Sequence, residues 1–246
     1  MCQDCGCEIA NKSAHGTLAP RPSSVGAPQK ISLEHLVLAK NNLIAASNRK
    51  WFSANHQRVL NLISSPGTGK TLLLEKTIER LPKTLKTAIL TGDQERDFDA
   101  QRLLARGANV RQLNTLSSCH LDASMIAKEL GNFVSPDLDL LIIENVGNLV
   151  CPAAFDIGED EKVALLSTTE GEDKPSKYPL LFHEATLIVI TKMDLVPHLD
   201  WDLSLCLNHI RKVNSKAPII TLSAKSGDGM DAWIDYLTKP SSMHLL

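Results

Sequence analysis

The sequence predicts an α/β fold with a doubly wound, mostly parallel sheet and helices on both of its faces. Short apolar runs alternate with stretches of helical periodicity from Val59 onward, which is the pattern of strands joined by crossover helices. The first of these runs breaks into a glycine-rich turn and then into a helix. With 246 residues, 43% of them hydrophobic, the chain is large enough to bury the core that such a fold needs.

A cysteine motif comes before the predicted sheet. Cys2, Cys5 and Cys7 form a C-x-x-C-x-C pattern in residues 1–9, and this close spacing allows the three sulfurs to face one centre. Thiolates favour nickel, zinc and other soft metal ions. We therefore interpret residues 1–9 as a metal-binding motif. The alternative is a set of exposed thiols at a frayed terminus.

A linker and one helix separate the cysteine motif from the first strand. Residues 10–30 are rich in Ser, Pro, Gly and Lys, so they cannot bury enough apolar surface to offset the entropy lost on ordering. We expect them to form a flexible linker to a domain at residues 31–246. The periodicity between Ser32 and Phe52 predicts an amphipathic helix. The apolar residues of its predicted face include Leu33, Leu36, Val37, Leu43 and Ile44.

The predicted sheet has its strands and helices in alternation. Strands are predicted at residues 59–64, 86–91, 109–113, 138–144, 186–191 and 217–222. Helices are predicted at residues 70–81, 99–106, 122–133, 200–214 and 229–237. In such a sheet the functional loops gather at the carboxyl ends of the strands, so we expect the motifs below to meet at one edge of the molecule.

A phosphate-binding loop follows the first predicted strand. Gly69, Lys70 and Thr71 match the end of the G-x-x-x-x-G-K-[ST] pattern, while Ser64 stands where the first glycine belongs. Glycines let backbone N–H groups converge on phosphate oxygens, the lysine reaches the β- and γ-phosphates, and the hydroxyl contacts Mg²⁺. The predicted phosphate-binding residues are Pro66, Gly67, Thr68, Gly69, Lys70, Thr71 and Leu72. The sequence is therefore typical of a P-loop NTPase.

Two carboxylates that follow predicted strands are candidates for magnesium binding. Asp93 comes after the second strand and Glu144 ends the fourth. A hard cation beside a triphosphate is held by the loop hydroxyl and one or two such carboxylates, so Thr71, Asp93 and Glu144 are the predicted Mg²⁺ ligands. Together with Lys70 they form the predicted catalytic set. Gly147 would let the next backbone N–H approach the γ-phosphate, and for Asp93 a helix cap or turn is the alternative role.

A guanine-recognition motif follows the strand at residues 186–191. Lys192 and Asp194 lie in a T-K-M-D segment that is close to the N-K-x-D signature, with Thr191 in place of Asn. A carboxylate at this point accepts hydrogen bonds from N1–H and the exocyclic amine of guanine, so Asp194 is predicted to select GTP and GDP over adenine nucleotides. The stem of Lys192 can lie along the base. The residues predicted to complete the base site are Ser223, Ala224 and Lys225.

A second candidate metal site lies inside the domain. Cys119 and His120 precede a predicted helix, and Cys151 follows Gly147 by four residues. Two sulfurs and one imidazole suit nickel or zinc, and both segments leave the carboxyl ends of predicted strands. An incidental Cys-His pair is the alternative. Because Cys151 lies seven residues after Glu144, we expect loss of the γ-phosphate to alter this site.

The sequence resembles the HypB family of hydrogenase nickel-incorporation GTPases. The resemblance rests on the segments CHLDA at residues 119–123, ENVGNLVCP at residues 144–152 and SAKSGDGM at residues 223–230, together with the cysteine motif and the phosphate-binding loop. It implies a GTP-hydrolysing nickel metallochaperone that inserts nickel into the [NiFe] hydrogenase large subunit precursor. It also implies a homodimer that forms with nucleotide or metal, and a HypA-type nickel accessory protein as partner.

The same resemblance implies roles for the two sets of metal ligands. Cys2, Cys5 and Cys7 would bind nickel. Cys119, His120 and Cys151 would form a second site, for nickel or zinc, at the dimer interface. Intrinsic GTP hydrolysis is expected to be slow, because no residue stands out as a water-orienting glutamine or an arginine finger.

Charge and composition argue against several other classes of protein. The net charge is −2, from 26 basic and 28 acidic residues, so we expect no nucleic-acid partner. No run approaches the roughly 18 apolar residues of a membrane span and the amino terminus has no signal-peptide pattern, so we expect a cytoplasmic protein without a membrane partner. The alternatives that remain are a nickel GTPase for urease maturation and a metal-independent regulatory GTPase.

Overall fold

The computed structural model describes residues 33–93, 98–115 and 118–239. The motif predicted at Cys2, Cys5 and Cys7 and the linker predicted at residues 10–30 lie outside the described residues. No helix in the described ranges is both long enough and apolar enough to cross a bilayer.

Within these ranges, seven strands form one sheet. The strands are β1 (Arg58–Ser64), β2 (Thr87–Asp93), β3 (Asn109–Asn114), β4 (Leu140–Glu144), β5 (Glu161–Ser167), β6 (Leu187–Thr191) and β7 (Ile219–Thr221). Their order is β3-β2-β4-β1-β5-β6-β7, and all neighbouring strands pair in parallel. The strand order therefore reverses beside β1, which is where open α/β sheets bind their ligands.

Helices cover both faces of the sheet. They are α1 (Leu33–Ala54), α2 (Lys70–Arg80), α3 (Phe98–Leu104), α4 (Ala123–Ala127), α5 (Cys151–Ala154), α6 (Lys174–Lys177), α7 (Pro179–Glu184), α8 (Leu203–Val213) and α9 (Met230–Thr238), with a 3₁₀ helix at Met193–His198. Leu60 and Leu62 of β1 belong to a core shared with α2, α3 and α9. Val59 and Ile63 point to the opposite face, where α1, α4, α7 and α8 pack. The alternation along β1 separates the two cores, as expected for a strand covered on both sides, and confirms the predicted fold class.

Strand β5 was not among the predicted strands. It begins with Glu161 and Lys162, and only a short apolar stretch follows. The charged start is stabilised inside the fold because Glu161 is buried and accepts a hydrogen bond from Arg58 Nε at 2.6 Å. A local pattern could not reveal this pairing, since the two residues lie on different strands.

The predicted helix at residues 122–133 is much shorter in the structure. Asp122 caps α4 by accepting a hydrogen bond from Met125 N at 2.9 Å, but the helix ends at Ala127. Gly131 then takes a positive φ of 75°, and its N–H donates to the Val134 carbonyl. This tight turn, which glycine permits at little steric cost, stops the helix.

The prediction of which residues form the buried face of α1 was wrong. Leu36, Val37 and Leu43 are exposed, with Leu43 at 76%. The buried side instead contains two asparagines, Asn41 and Asn48, with Ala45 and Phe52 as the apolar members of that side. Polar residues occupy the buried face because they bond to backbone groups at the start of α4 and in the segment between α5 and β5, as described below.

Candidate functional site

The phosphate-binding loop connects the end of β1 to the start of α2. Its positive φ angles fall at Gly67 (75°) and Gly69 (99°), where a side chain would be strained. Ser64 is the last residue of β1 and has no positive φ, so the first position of the pattern does not need glycine here. The Ser64 hydroxyl instead accepts a hydrogen bond from Lys70 Nζ at 2.7 Å. Serine thus positions the loop lysine.

Lys70 is buried beneath the loop. Burial lowers its pKa, and the nearby carboxylate of Glu144 is the largest influence in the opposite direction. A lysine held in this environment can place its charge against phosphate oxygens without competition from bulk water.

The carboxyl end of β4 places Glu144 beside the start of α2. Its Oε1 accepts a hydrogen bond from Thr71 Oγ1 at 3.1 Å. Its Oε2 is buried without a hydrogen-bond partner in the described ranges. Burial raises the pKa of Glu144 to about 7, while the charge of Lys70 acts to lower it.

The surroundings of Glu144 fit a magnesium ion. A buried carboxylate oxygen without a partner costs free energy until a ligand pairs with it. Carboxylate and hydroxyl oxygens are ligands that Mg²⁺ accepts, so Thr71 and Glu144 provide a suitable donor pair. Thr91, whose Cα pairs in register with that of Glu144, also has a buried hydroxyl with no partner in the same described residues.

A cleft of about 380 Å³ opens in front of these groups. It is lined by loop and strand-end residues, including Lys70, Thr71, Asp93 and Glu144. The structure also adds residues that sequence reasoning did not single out. They include Thr91, Asp99, Arg102, Gln112 and Asn145. The signal for Thr91 was available, because it lies two residues before Asp93 and alternate residues of a strand share one face.

Gly147 lies directly against the phosphate-binding loop. A Cβ at this position would lie 3.1 Å from both the Cα and the N of Pro66. Only glycine lets the two backbone segments approach so closely without a shift. A displacement of either segment is therefore transmitted to the other through direct contact.

The base side of the site is a separate pocket of about 210 Å³. Its lining includes Thr68, Leu72, Thr191, Lys192, Asp194, Ser223, Ala224 and Lys225. The Ser223 hydroxyl donates to Asp194 Oδ1 at 2.6 Å and orients the carboxylate predicted to select guanine.

Two side chains tie the base side to the phosphate-binding loop. Lys192, with a positive φ of 60°, donates from Nζ to the Gly67 carbonyl at 2.7 Å. The Thr191 hydroxyl donates to the Thr68 carbonyl at 2.8 Å. Threonine in place of the usual asparagine thus still makes a hydrogen bond to the loop.

The loop after β5 supplies a further contact that sequence reasoning missed. Glu170 accepts hydrogen bonds from Ser65 Oγ at 2.8 Å and from Thr68 Oγ1 at 2.9 Å. Lys174 Nζ lies 3.3 Å from the Glu170 carboxylate. Because β5 was not predicted, no local signal placed this loop beside the phosphate-binding loop.

Cys119, His120 and Cys151 come together near the carboxyl ends of the strands. Their candidate ligand atoms all lie within 4.8 Å of one another, and the three residues are half-buried. Cys119 Sγ lies 3.7 Å from His120 Nδ1. The His120 ring is held by Phe155, with 3.8 Å between the ring centroids.

The pKa values of His120 and Cys151 in this cluster are shifted in opposite directions. Burial lowers the pKa of His120, which favours the neutral imidazole that binds metals. The hydrogen bond with the adjacent Cys119 sulfur raises the pKa of Cys151, so the Cys151 thiol ionises less readily without a cation. Two sulfurs and an imidazole suit nickel or zinc and leave room for a further ligand.

Known proteins with a similar sequence belong to one family of nucleotide-binding proteins. Residues 58–221 match the family described as CobW/HypB/UreG, nucleotide-binding domain. The hydrogenase maturation factor HypB of Azotobacter chroococcum mcd 1 is 49% identical over 215 residues, which cover 87% of this chain and 70% of that protein.

Two solved structures are similar over most of the chain. The crystal structure of HypB from Helicobacter pylori in complex with nickel is 36% identical, with a TM-score of 0.74, and the match covers 80% of this chain and 93% of that chain. The crystal structure of the hydrogenase maturation factor HypB from Archaeoglobus fulgidus is 40% identical, with a TM-score of 0.76, and the match covers 81% and 98% of the two chains.

Proposed function

Because this chain belongs to the CobW/HypB/UreG family, among its HypB hydrogenase maturation factors, we propose that it is a GTP-hydrolysing nickel metallochaperone. It inserts nickel into the [NiFe] hydrogenase large subunit precursor. The observation that carries the proposal is the placement of the Cys119, His120 and Cys151 cluster beside the phosphate cleft. One short segment, residues 144–151, contains both Glu144 of the cleft and Cys151 of the cluster.

The proposed GTPase chemistry uses four side chains in the cleft. Lys70 binds the β- and γ-phosphates, and the backbone N–H groups of residues 67–72 hold the phosphate oxygens. Thr71, Asp93 and Glu144 hold Mg²⁺, directly or through its water shell. Mg²⁺, when bound, offsets the negative charge on the transferred phosphoryl group. The proposal includes a slow intrinsic rate, because no motif in the sequence marks a water-orienting glutamine or an arginine finger.

The proposed base specificity follows from Asp194. Its carboxylate is oriented by Ser223, and it pairs with the two donors on the edge of guanine. Lys192 lies along the base, and the backbone of Ala224 and Lys225 completes the pocket. Gly147 brings the segment after β4 close to the γ-phosphate.

The nickel ion is the cargo of the proposed reaction. Cys119, His120 and Cys151 receive nickel, or zinc in its place, and a second copy of the chain completes the site in a homodimer that forms with nucleotide or metal. The motif at residues 1–9 captures nickel and is tethered by residues 10–30 to the G domain at residues 31–246. A HypA-type accessory protein exchanges nickel with the chain before delivery to the hydrogenase precursor.

The proposed setting is the cytoplasm, where thiols stay reduced and able to bind metals. Cys119 and Cys151 are free thiols in the structure. A nickel GTPase for urease maturation is the nearest competing function, since the same site could serve a different client. Neither nucleic acid nor a membrane is a proposed partner.

Complementation of cells that lack the protein tests this proposal. The chain in which Cys119, His120 and Cys151 are all replaced by Ala should fail to restore hydrogenase activity at low nickel, and added nickel should restore it in part. Cys206→Ala is the matched control, because Cys206 is a buried core thiol on α8 that is not part of the cluster. Undiminished hydrogenase activity in the triple variant would instead favour a metal-independent GTPase, and loss of urease activity alone would favour the urease function.

A further inference from the structure

Asn145 links the nucleotide segment to the loop that carries two of the metal ligands. It follows Glu144 and is only 1% exposed. Its Oδ1 accepts hydrogen bonds from Leu121 N and from Val146 N, each at 3.0 Å. Its Nδ2 donates to Asn61 Oδ1 on β1 at 3.1 Å. One side chain therefore holds the backbone beside His120, the backbone beside Gly147 and the central strand.

The bond to Leu121 is expected to be strong and costly to lose. Leu121 is fully buried, so water cannot replace the acceptor if Asn145 moves away. A buried N–H without a partner costs free energy, and low local polarity strengthens the bonds that remain. The Leu121 amide, and with it His120, is thus expected to follow the position of Asn145.

A second set of contacts comes from α1 and holds the segments that follow His120 and Cys151. Asn48 of α1 donates to the carbonyls of Ala123 and Ile157, at 2.8 and 3.1 Å. Asn41 accepts from Ala123 N at 2.9 Å and donates to the Asp156 carbonyl at 2.7 Å. Both asparagines bridge the segment after His120 to the segment after Cys151, and neither is among the residues lining the phosphate cleft.

The two sets of contacts differ in what they depend on. The contacts from α1 are independent of the phosphates, whereas Asn145 lies between Glu144 and Gly147, which both line the phosphate cleft. Gly147 lies so close to Pro66 of the phosphate-binding loop that a Cβ at position 147 would be 3.1 Å from the Pro66 backbone. A change at the γ-phosphate is therefore expected to move Asn145 while the anchors on α1 stay in place.

We infer that Asn145 is a positioning residue that makes the geometry of Cys119 and His120 depend on the bound nucleotide. The inference rests on the proposed function and deepens it. Cys151 is linked to the same segment by the chain itself, whereas the Cys119 and His120 loop is linked through the Asn145 side chain. The nucleotide thus acts on both sides of the metal site, and removal of Asn145 leaves only the covalent link to Cys151.

Hydrogen exchange of the wild-type chain gives the first test. The Leu121 amide should exchange at rates that differ by about fivefold or more between the GDP form and the form with a non-hydrolysable GTP analogue, both with Mg²⁺. The Ala123 amide, which donates to Asn41, is the internal control and should change much less. Equal exchange of Leu121 in the two forms would overturn the inference, and this measurement requires no variant to fold.

Nickel affinity of two matched variants gives the second test. The wild-type G-domain site should bind Ni²⁺ with affinities that differ by about fivefold or more between the two nucleotide forms. Asn145→Ala should lower that ratio markedly, because only the covalent link to Cys151 then remains. Asn48→Ala, which removes two buried hydrogen bonds from the same loops, should weaken Ni²⁺ binding in both forms and keep the ratio.

The outcomes separate this inference from the proposed function. If the nickel affinity of the wild-type chain depends on the nucleotide and Asn145→Ala keeps the same dependence, the inference is wrong and the proposed function still stands. Equal wild-type affinities in the two forms also overturn the inference alone. Absence of nickel binding at Cys119, His120 and Cys151 in the wild-type chain overturns both.

Discussion

The base side and the phosphate side of the nucleotide site differ in how fully their polar groups are paired. On the base side, Thr191, Lys192 and Ser223 each donate to an oxygen of the protein at 2.6–2.8 Å. On the phosphate side, Glu144 has one buried oxygen and Thr91 a buried hydroxyl that have no hydrogen-bond partner in the part of the chain that the structure describes.

This difference indicates which side changes when a ligand binds. A pocket whose polar groups are already paired is preformed, so it selects a base without reorganising. Unpaired buried groups raise the free energy of the ligand-free protein, so a ligand that pairs with them changes the free energy of the phosphate side more than that of the base side. Residues 144–151 connect the phosphate side to the Cys119, His120 and Cys151 cluster, so the responsive part of the nucleotide site is linked to the proposed nickel site.

Substitution of Asp194 tests the base side and has the largest expected effect. Asp194→Asn places an amide donor against the donors of guanine, so GTP affinity should fall about 100-fold. Xanthosine triphosphate, which has an exocyclic oxygen at that position, should bind more tightly to the variant than to the wild-type chain. Nucleotide dissociation constants measured by titration check this, with the exposed Asp200→Asn as control. Unchanged GTP affinity would show that Asp194 does not select the base.

The pH dependence of stability tests the phosphate side. Burial raises the pKa of Glu144 to about 7 from an ordinary value of 4.5. The folded chain therefore keeps a proton in this window that the unfolded chain releases, so this group makes stability fall as pH rises from 4.5 through 7. Without nucleotide or Mg²⁺, its contribution to the free energy of unfolding should be about 2 kcal/mol lower at pH 8 than at pH 5.

Urea denaturation at the two pH values measures this effect. Glu144→Gln should remove the part of the decline that comes from Glu144, since an amide does not titrate, whereas the exposed Glu184→Gln should keep the wild-type decline. The part from Glu159, whose pKa burial also raises, should remain in both variants. Addition of Mg²⁺ and GTP should stabilise the wild-type chain at pH 8 more than the Gln variant. A Glu144→Gln variant with the wild-type pH profile would contradict the assignment of the titration to Glu144.

Ser64 lies at the junction of β1 and the loop, and its substitution has the smallest expected effect. Ser64→Ala removes the acceptor for Lys70, so GTP turnover should fall about fivefold, equivalent to about 1 kcal/mol. Ser64→Gly should lose a similar amount, because this position has no positive φ that would favour glycine. Single-turnover kinetics of GTP hydrolysis compare the two variants with the wild-type chain. Faster hydrolysis by Ser64→Gly would show that the bond from Lys70 to Ser64 does not assist hydrolysis.

Features that depend on local patterns could be predicted from the sequence. The phosphate-binding loop, the carboxylates after β2 and β4, and the base motif could be predicted because their spacing follows from the chemistry of one loop. The parallel topology then placed Cys119, His120 and Cys151 together, since strands of one sheet present their carboxyl ends at the same edge.

The features that could not be predicted depend on contacts between distant residues. Strand β5 begins with Glu161, whose burial depends on Arg58 of another strand. The buried face of α1 contains Asn41 and Asn48, which pair with backbone groups more than 70 residues away in sequence. A hydrophobicity pattern assigns such residues to the surface, because it contains no information on their partners.

The loop after β5 also gives the protein an optical reporter of its own. Trp201 donates from its indole N–H to the Glu170 carbonyl at 3.0 Å, and the carboxylate of Glu170 bonds to two hydroxyls of the phosphate-binding loop. The fluorescence of an indole depends on its hydrogen bond and on the field of nearby charges. A change in the emission of Trp201, measured over the background from Trp51 and Trp233, is therefore suited to following nucleotide arrival in real time with no dye attached.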